Sequence, residues 1–115
     1  MLLYALIVFL LTACGGLVLA SFVLRGKLAP WAVSLLHALL GASGLLLLGA
    51  AILTADRIGT LPLVALGVFV ITACFGFYLA SVHYGKRVAI KRVVLTHAGF
   101  AITGALLLIA AVVMQ

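Results

Sequence analysis

An all-α integral membrane protein, one four-transmembrane-helix up-down bundle built from two copies of a helical hairpin, is the fold this sequence predicts, and three observations carry it. Hydrophobic residues make up 69% of the 115-residue chain and charged residues 7%, leaving too little polar surface to cover a water-soluble domain of this size. The apolar residues gather into four stretches of about 20 residues, the length a helix needs to cross a bilayer. Sliding the chain by 60 positions without a gap lays Met1 to Ala51 over Leu61 to Ala111, and the scarcest residues coincide: Cys14 with Cys74, Ser21 with Ser81, His37 with His97.

The first span is read as Leu2 to Leu24. Within it Leu11-Thr12-Ala13-Cys14-Gly15 looks like the cleavage box of a bacterial lipoprotein. The same motif recurs as Ile71-Thr72-Ala73-Cys74 in mid-chain, where no leader can sit, so Cys14 is expected to be a packing residue within the membrane. The second span, Trp31 to Ala55, follows Pro30, a favoured residue at a helix start. The third and fourth are read as Leu61 to Val82 and Val93 to Met114. No period-two alternation appears, which excludes a membrane barrel. Short connections make consecutive helices antiparallel neighbours. Residues 1–115 thus form one membrane domain, with repeat one at 1–58 and repeat two at 59–115. Each repeat crosses twice, so both enter the bilayer the same way up, related by a pseudo-twofold axis along the membrane normal. First and third helices then oppose each other diagonally, as do second and fourth.

Charge sets the expected orientation. Arg25 and Lys27 fall in the first connection and Lys86, Arg87, Lys91 and Arg92 at the third, whereas the second holds only Arg57 beside Asp56, the sole acid. Basic loops stay on the cytoplasmic side, which puts both termini on the non-cytoplasmic side of a bacterial-type inner membrane. The net charge of +6 is then a topology signal and a match for anionic lipid headgroups, not a nucleic-acid footprint.

The histidines carry the chemistry. His37 lies about 10 Å inside the second helix, and His97 takes the same depth in the fourth. Diagonal axes roughly 12 to 14 Å apart leave room for one metal ion between two inward imidazoles, with little room for the rings to touch. Porphyrin iron is the metal that takes two imidazoles on opposite sides. Zinc or copper would want three or four ligands, and Cys14 and Cys74 lie about two turns away in depth. Ser34, Gly41 and Gly44 share the face of His37, and Ala101 and Gly104 that of His97. A glycine inside a helix costs about 1 kcal/mol against alanine, and a bare strip for a flat macrocycle is the reason read here. Gly16 with Ala20 and Gly76 with Ala80, on helices lacking the histidines, are read as small residues for close helix packing.

Around that centre, Arg25, Lys27, Lys91 and Arg92 form a cationic rim for two haem propionates. Ser21 and Ser81, near the histidine level, are candidates to bond a propionate or orient an imidazole. His83 has no repeat partner, Val23 holding its place, and it is expected in the interfacial belt with Tyr84 and the anchor Trp31.

His37, His97 and the small residues of their faces give the chain a resemblance to the small four-helix membrane-bound b-type cytochromes, the cytochrome b561-like group. That resemblance implies haem b held by histidine pairs and electrons passed to a quinone or redox-protein partner. The group carries two pairs of ligands and two haems; one matched pair here implies a single bis-histidine haem that moves single electrons. Length and helix count are also similar to the small multidrug exporters, but the chain contains no glutamate, the residue they depend on. A lone loop acid and cysteines without a nearby base leave bond-making catalysis without its groups, so an electron-transfer protein is expected rather than an enzyme of that kind. The rival reading is a non-catalytic accessory or structural subunit of a larger respiratory or photosynthetic complex.

Overall fold

The computed structural model describes residues 1–115 and is all-helical: α1 (Leu2–Leu24), α2 (Trp31–Leu53), α3 (Thr60–Tyr84) and α4 (Lys91–Val113). All four are long and apolar enough to cross a membrane, and the molecule measures 46 × 22 × 19 Å. α1 coincides with the sequence reading, and the other boundaries depart from it by no more than two residues. α2 stops at Leu53, with Thr54 closing it through its backbone N–H and hydroxyl, both bonded to the Ala50 carbonyl. α3 begins at Thr60, which puts Pro62 in the first turn, where its missing N–H costs no helical bond.

Helix packing follows the short connections. α1 packs on α2 and α4, and α3 on α4 and α2, while the diagonal pairs α1/α3 and α2/α4 meet only through side chains. Both termini and the second connection, through Thr54, Ala55, Arg57, Ile58 and Gly59, line one open cleft of about 630 Å³, so they share one end of the bundle. The connections 25–30 and 85–90 lie at the other. There α1 and α3 close in the same manner. Lys27 N–H donates to Phe22 O and Gly26 N–H to Val23 O, and Arg87 and Lys86 repeat the pattern on Val82 and His83. This six-to-one, five-to-two pattern needs one left-handed residue. Gly26 supplies it at φ 70°; Lys86, a residue with a Cβ, supplies it at φ 55°.

Because the helices are apolar on every side, the core is recognised by what is enclosed rather than by a stripe. Ala5, Leu6, Phe9, Leu48, Ile52, Ala65, Phe69 and Leu108 form it, all in the half nearer the termini. Its members repeat: Ala5 and Ala65, Phe9 and Phe69, Leu48 and Leu108 are buried pairs 60 positions apart. Phe9 and Phe69 stack across the diagonal with centroids 3.8 Å apart and planes within 5°. On the outside, Leu17, Leu46 and Phe77 are 71 to 76% exposed.

Candidate bis-histidine site

One layer of the bundle, on the basic-loop side of the phenylalanine stack, is built from two imidazoles. His37 reaches from α2 toward α1, where its Nδ1 lies 2.9 Å from the Thr12 carbonyl oxygen; His97 reaches from α4 to the Thr72 carbonyl at 3.0 Å. A carbonyl only accepts, so each Nδ1 carries the proton and donates it. Each Nε2 is then the ring's lone-pair nitrogen and takes no part in the hydrogen bonds of the layer, which run through Nδ1, and neither is a fully enclosed unpartnered atom. The two ring centroids stand 6.1 Å apart with planes at 67°. That spacing lies within ordinary aromatic contact range, closer than the sequence reading allowed. Two imidazoles sharing one ion would have their centroids at a similar separation, two bonds of about 2.0 Å plus the two ring radii, roughly 6 Å.

Glycines surround this layer, with roles that differ from those expected. A Cβ at Gly16 would sit 3.0 Å from His37 Cε1, and one at Gly76 would sit 3.3 Å from His97 Cε1. Gly15 also faces His37, at 3.6 Å from its Cβ. These positions admit an imidazole where helix-to-helix contact was expected. Gly44 and Gly104, expected to bare a strip for a macrocycle, instead receive the rings of Phe9 and Phe69, which would lie 2.9 Å from an added Cβ. Gly41 faces the Thr12 methyl at 3.6 Å, and Ala101 is half-buried. The strip running from the histidines toward the termini is therefore covered by aromatic side chains. Large rings and glycines at matched positions fill it more completely than small residues alone would.

Other expected site residues lie elsewhere. Ser21 and Ser81 are exposed and donate to carbonyls on their own helices, Val18 O and Tyr78 O, both at 2.7 Å. A hydroxyl in hydrocarbon takes the nearest acceptor, and the turn below provides one. Arg25 bonds the Ser21 carbonyl through Nε at 2.8 Å and lies over the Phe22 ring. Lys27, Lys91 and Arg92 are exposed at the helix ends. Cys14 and Cys74 are free and exposed on the outer surface, so they are not packed inside. No cluster of three or more metal-binding side chains occurs.

One contributor escaped the sequence reading, the Phe9–Phe69 pair, and another, His83, takes a more specific role than expected. Phe9 and Phe69 carried a usable signal, an aromatic conserved between the repeats. His83 donates from Nε2 to the Ala29 carbonyl at 2.8 Å, with Trp31 packed edge-on at 5.1 Å, so it fastens the first connection rather than merely lying in the interface. Comparison with described protein families, with curated proteins and with solved structures finds no match.

Proposed function

We propose that the protein is a membrane-bound b-type cytochrome in which His37 and His97 are the axial ligands of one haem, and that it transfers single electrons. The observation that carries this reading is the pair of Nε2 lone pairs left out of the layer's hydrogen bonds on rings 6.1 Å apart, each ring fixed through its other nitrogen. A metal-ligating histidine has this arrangement, its free N–H donated to a carbonyl that sets tautomer and orientation.

The fit is partial. Two imidazoles at matched depth suit one iron with both faces occupied, while the Phe9–Phe69 stack closes the half of the bundle toward the termini. A macrocycle held by both imidazoles would be centred between them, bounded toward the termini by the phenylalanine stack, with Ala20 and Ala80, which succeed Gly16 and Gly76 on α1 and α3, toward the basic connections. Bound there, haem supplies a one-electron centre. Each imidazole contributes its Nε2 lone pair, Thr12 and Thr72 carbonyls hold the rings, and the phenylalanine stack keeps water from the terminal end. Arg25, Lys27, Lys91 and Arg92 offer cations to propionates reaching the rim. In this reading the two hairpins are related by a pseudo-twofold axis along the membrane normal, the chain lies in a bacterial-type inner membrane with both termini non-cytoplasmic, and the partner is a quinone or redox protein.

One observation favours the alternative of an accessory subunit: the imidazoles are in aromatic contact range and the core is packed by side chains alone. Spectra separate the two. Protein purified from haem-replete cells is expected to be red, with a sharp band on dithionite reduction that is lost in both His37→Ala and His97→Ala. Colourless protein assigns the scaffold role instead, and a band surviving both exchanges removes His37 and His97 as the ligands.

A further inference from the structure

Thr12-Ala13-Cys14-Gly15-Gly16 and Thr72-Ala73-Cys74-Phe75-Gly76 do the same thing at the same depth on α1 and α3. We infer that this five-residue Thr-Ala-Cys-x-Gly segment is an imidazole seat, which fixes the partner histidine as its Nδ1–H tautomer, and that Gly16 and Gly76 are the positioning residues that make the seat work.

Two parts of the segment act together. The helical carbonyl of Thr12 keeps a second lone pair beyond its intrahelical bond, and the His37 N–H lies 2.9 Å from that oxygen. The Thr12 hydroxyl donates to Val8 O and that of Thr72 to Val68 O, both at 2.8 Å, so neither hydroxyl competes for the imidazole. One turn further on, the glycine removes the only atom that would stop the ring from lying flat along the helix. With 3.0 Å between His37 Cε1 and an added Cβ, and 3.3 Å for His97, alanine would press each ring away from its carbonyl. Backbone stands behind the glycine, so the ring is the part that moves. Loss of the Nδ1 bond frees the tautomer and lets Nε2 take the proton, which turns a lone pair into a donor and abolishes its ability to bind a metal. Cys14 and Cys74 take no part, being turned to the outside.

The consequence for haem rests on the function proposed above; the tautomer does not, and that separates the two in one experiment. The full chain, labelled with ¹⁵N at histidine, is placed haem-free in phospholipid nanodiscs at about pH 8, above the ordinary imidazole range near 6.5. Two-bond ¹⁵N–¹H spectra then report each ring's protonated nitrogen, with signals assigned by His37→Gln, His83→Gln and His97→Gln. Both His37 and His97 are expected as Nδ1–H tautomers. Gly16→Ala is expected to convert the His37 signal to Nε2–H or a mixture and leave His97 unchanged, and Gly76→Ala the reverse, each variant thus serving as the other's folding control. Thr12→Val, which keeps the carbonyl, should leave His37 as it was. Haem titrated into the same samples should bind roughly 10- to 100-fold more weakly to each glycine variant. Nε2–H tautomers in the unaltered chain, or unchanged His37 and His97 signals in both glycine variants, overturn the seat. Intact tautomers with no haem uptake leave the seat standing and remove the cytochrome.

Discussion

The two hairpins agree inside and differ at the rim. Phe9 and Phe69, Thr12 and Thr72, Gly16 and Gly76, His37 and His97, Gly44 and Gly104 occupy equivalent positions and make equivalent contacts, down to hydrogen bonds within 0.1 Å of each other in length. At the basic end the copies part: Val23 faces His83, Gly26 faces Lys86, and Trp31 faces Lys91 across the repeat. What two copies of a hairpin keep in common is what they need from each other, since each supplies half of the phenylalanine stack and half of the imidazole layer. At the rim the contact is one-sided: His83 and Tyr84 of the second hairpin reach Ala29 and Trp31 of the first, while Val23, in the place of His83, stays apolar.

The largest way to break the likeness is to move the charge. Replacing Lys86, Arg87, Lys91 and Arg92 together by glutamine, with four lysines placed around Arg57, should invert the chain in the bilayer, read by reporter fusions at either end; an unchanged orientation would show that the rim does not set topology. Next comes the stack. Phe9→Ala and Phe69→Ala should each destabilise by about 3 kcal/mol, with the two values close to one another, and the double variant should cost less than their sum because the second truncation removes a ring that has already lost its partner. Unfolding in mixed detergent micelles measures this, and clearly unequal single values would end the equivalence of the repeats.

Smaller effects sharpen the contrast at the rim. Lys86→Gly should stabilise by roughly 1 kcal/mol by relieving a left-handed residue of its Cβ, whereas Gly26→Ala should destabilise by a similar amount. Both moving in the same direction would contradict the shared cap. His83→Val, which copies repeat one into repeat two, should cost about 1 kcal/mol or less through the lost bond to the Ala29 carbonyl. Faster hydrogen exchange confined to residues 28–33 is its expected signature.

The sequence made the four spans, the duplication and the matched depth of His37 and His97 legible, because length, hydropathy and scarce residues carry those, but not the 6.1 Å approach of the two rings. Which neighbour each glycine serves was not legible. Gly44 announces a close approach in either case, and only the packing reveals that Phe9 makes it; in helices apolar on every side, no periodicity tells a stacked phenylalanine from an exposed one such as Phe77. Gly16 was read as helix contact for the same reason. Ser21 and Ser81 repeat faithfully yet face outward, since a hydroxyl satisfied by its own helix leaves no mark in the sequence different from one that reaches a partner. His83 is the opposite case: its lack of a repeat partner was visible, and that asymmetry was itself the signal of a contact the first hairpin lacks.

Titration of ferric haem into purified haem-free protein, followed by low-temperature electron paramagnetic resonance, tests the central claim most directly. Uptake should saturate at one haem per chain with a low-spin signal of two imidazole ligands, shifting toward high spin in both His37→Ala and His97→Ala. Absence of uptake, or a low-spin signal that persists without either histidine, would contradict the assignment of the paired imidazoles to iron.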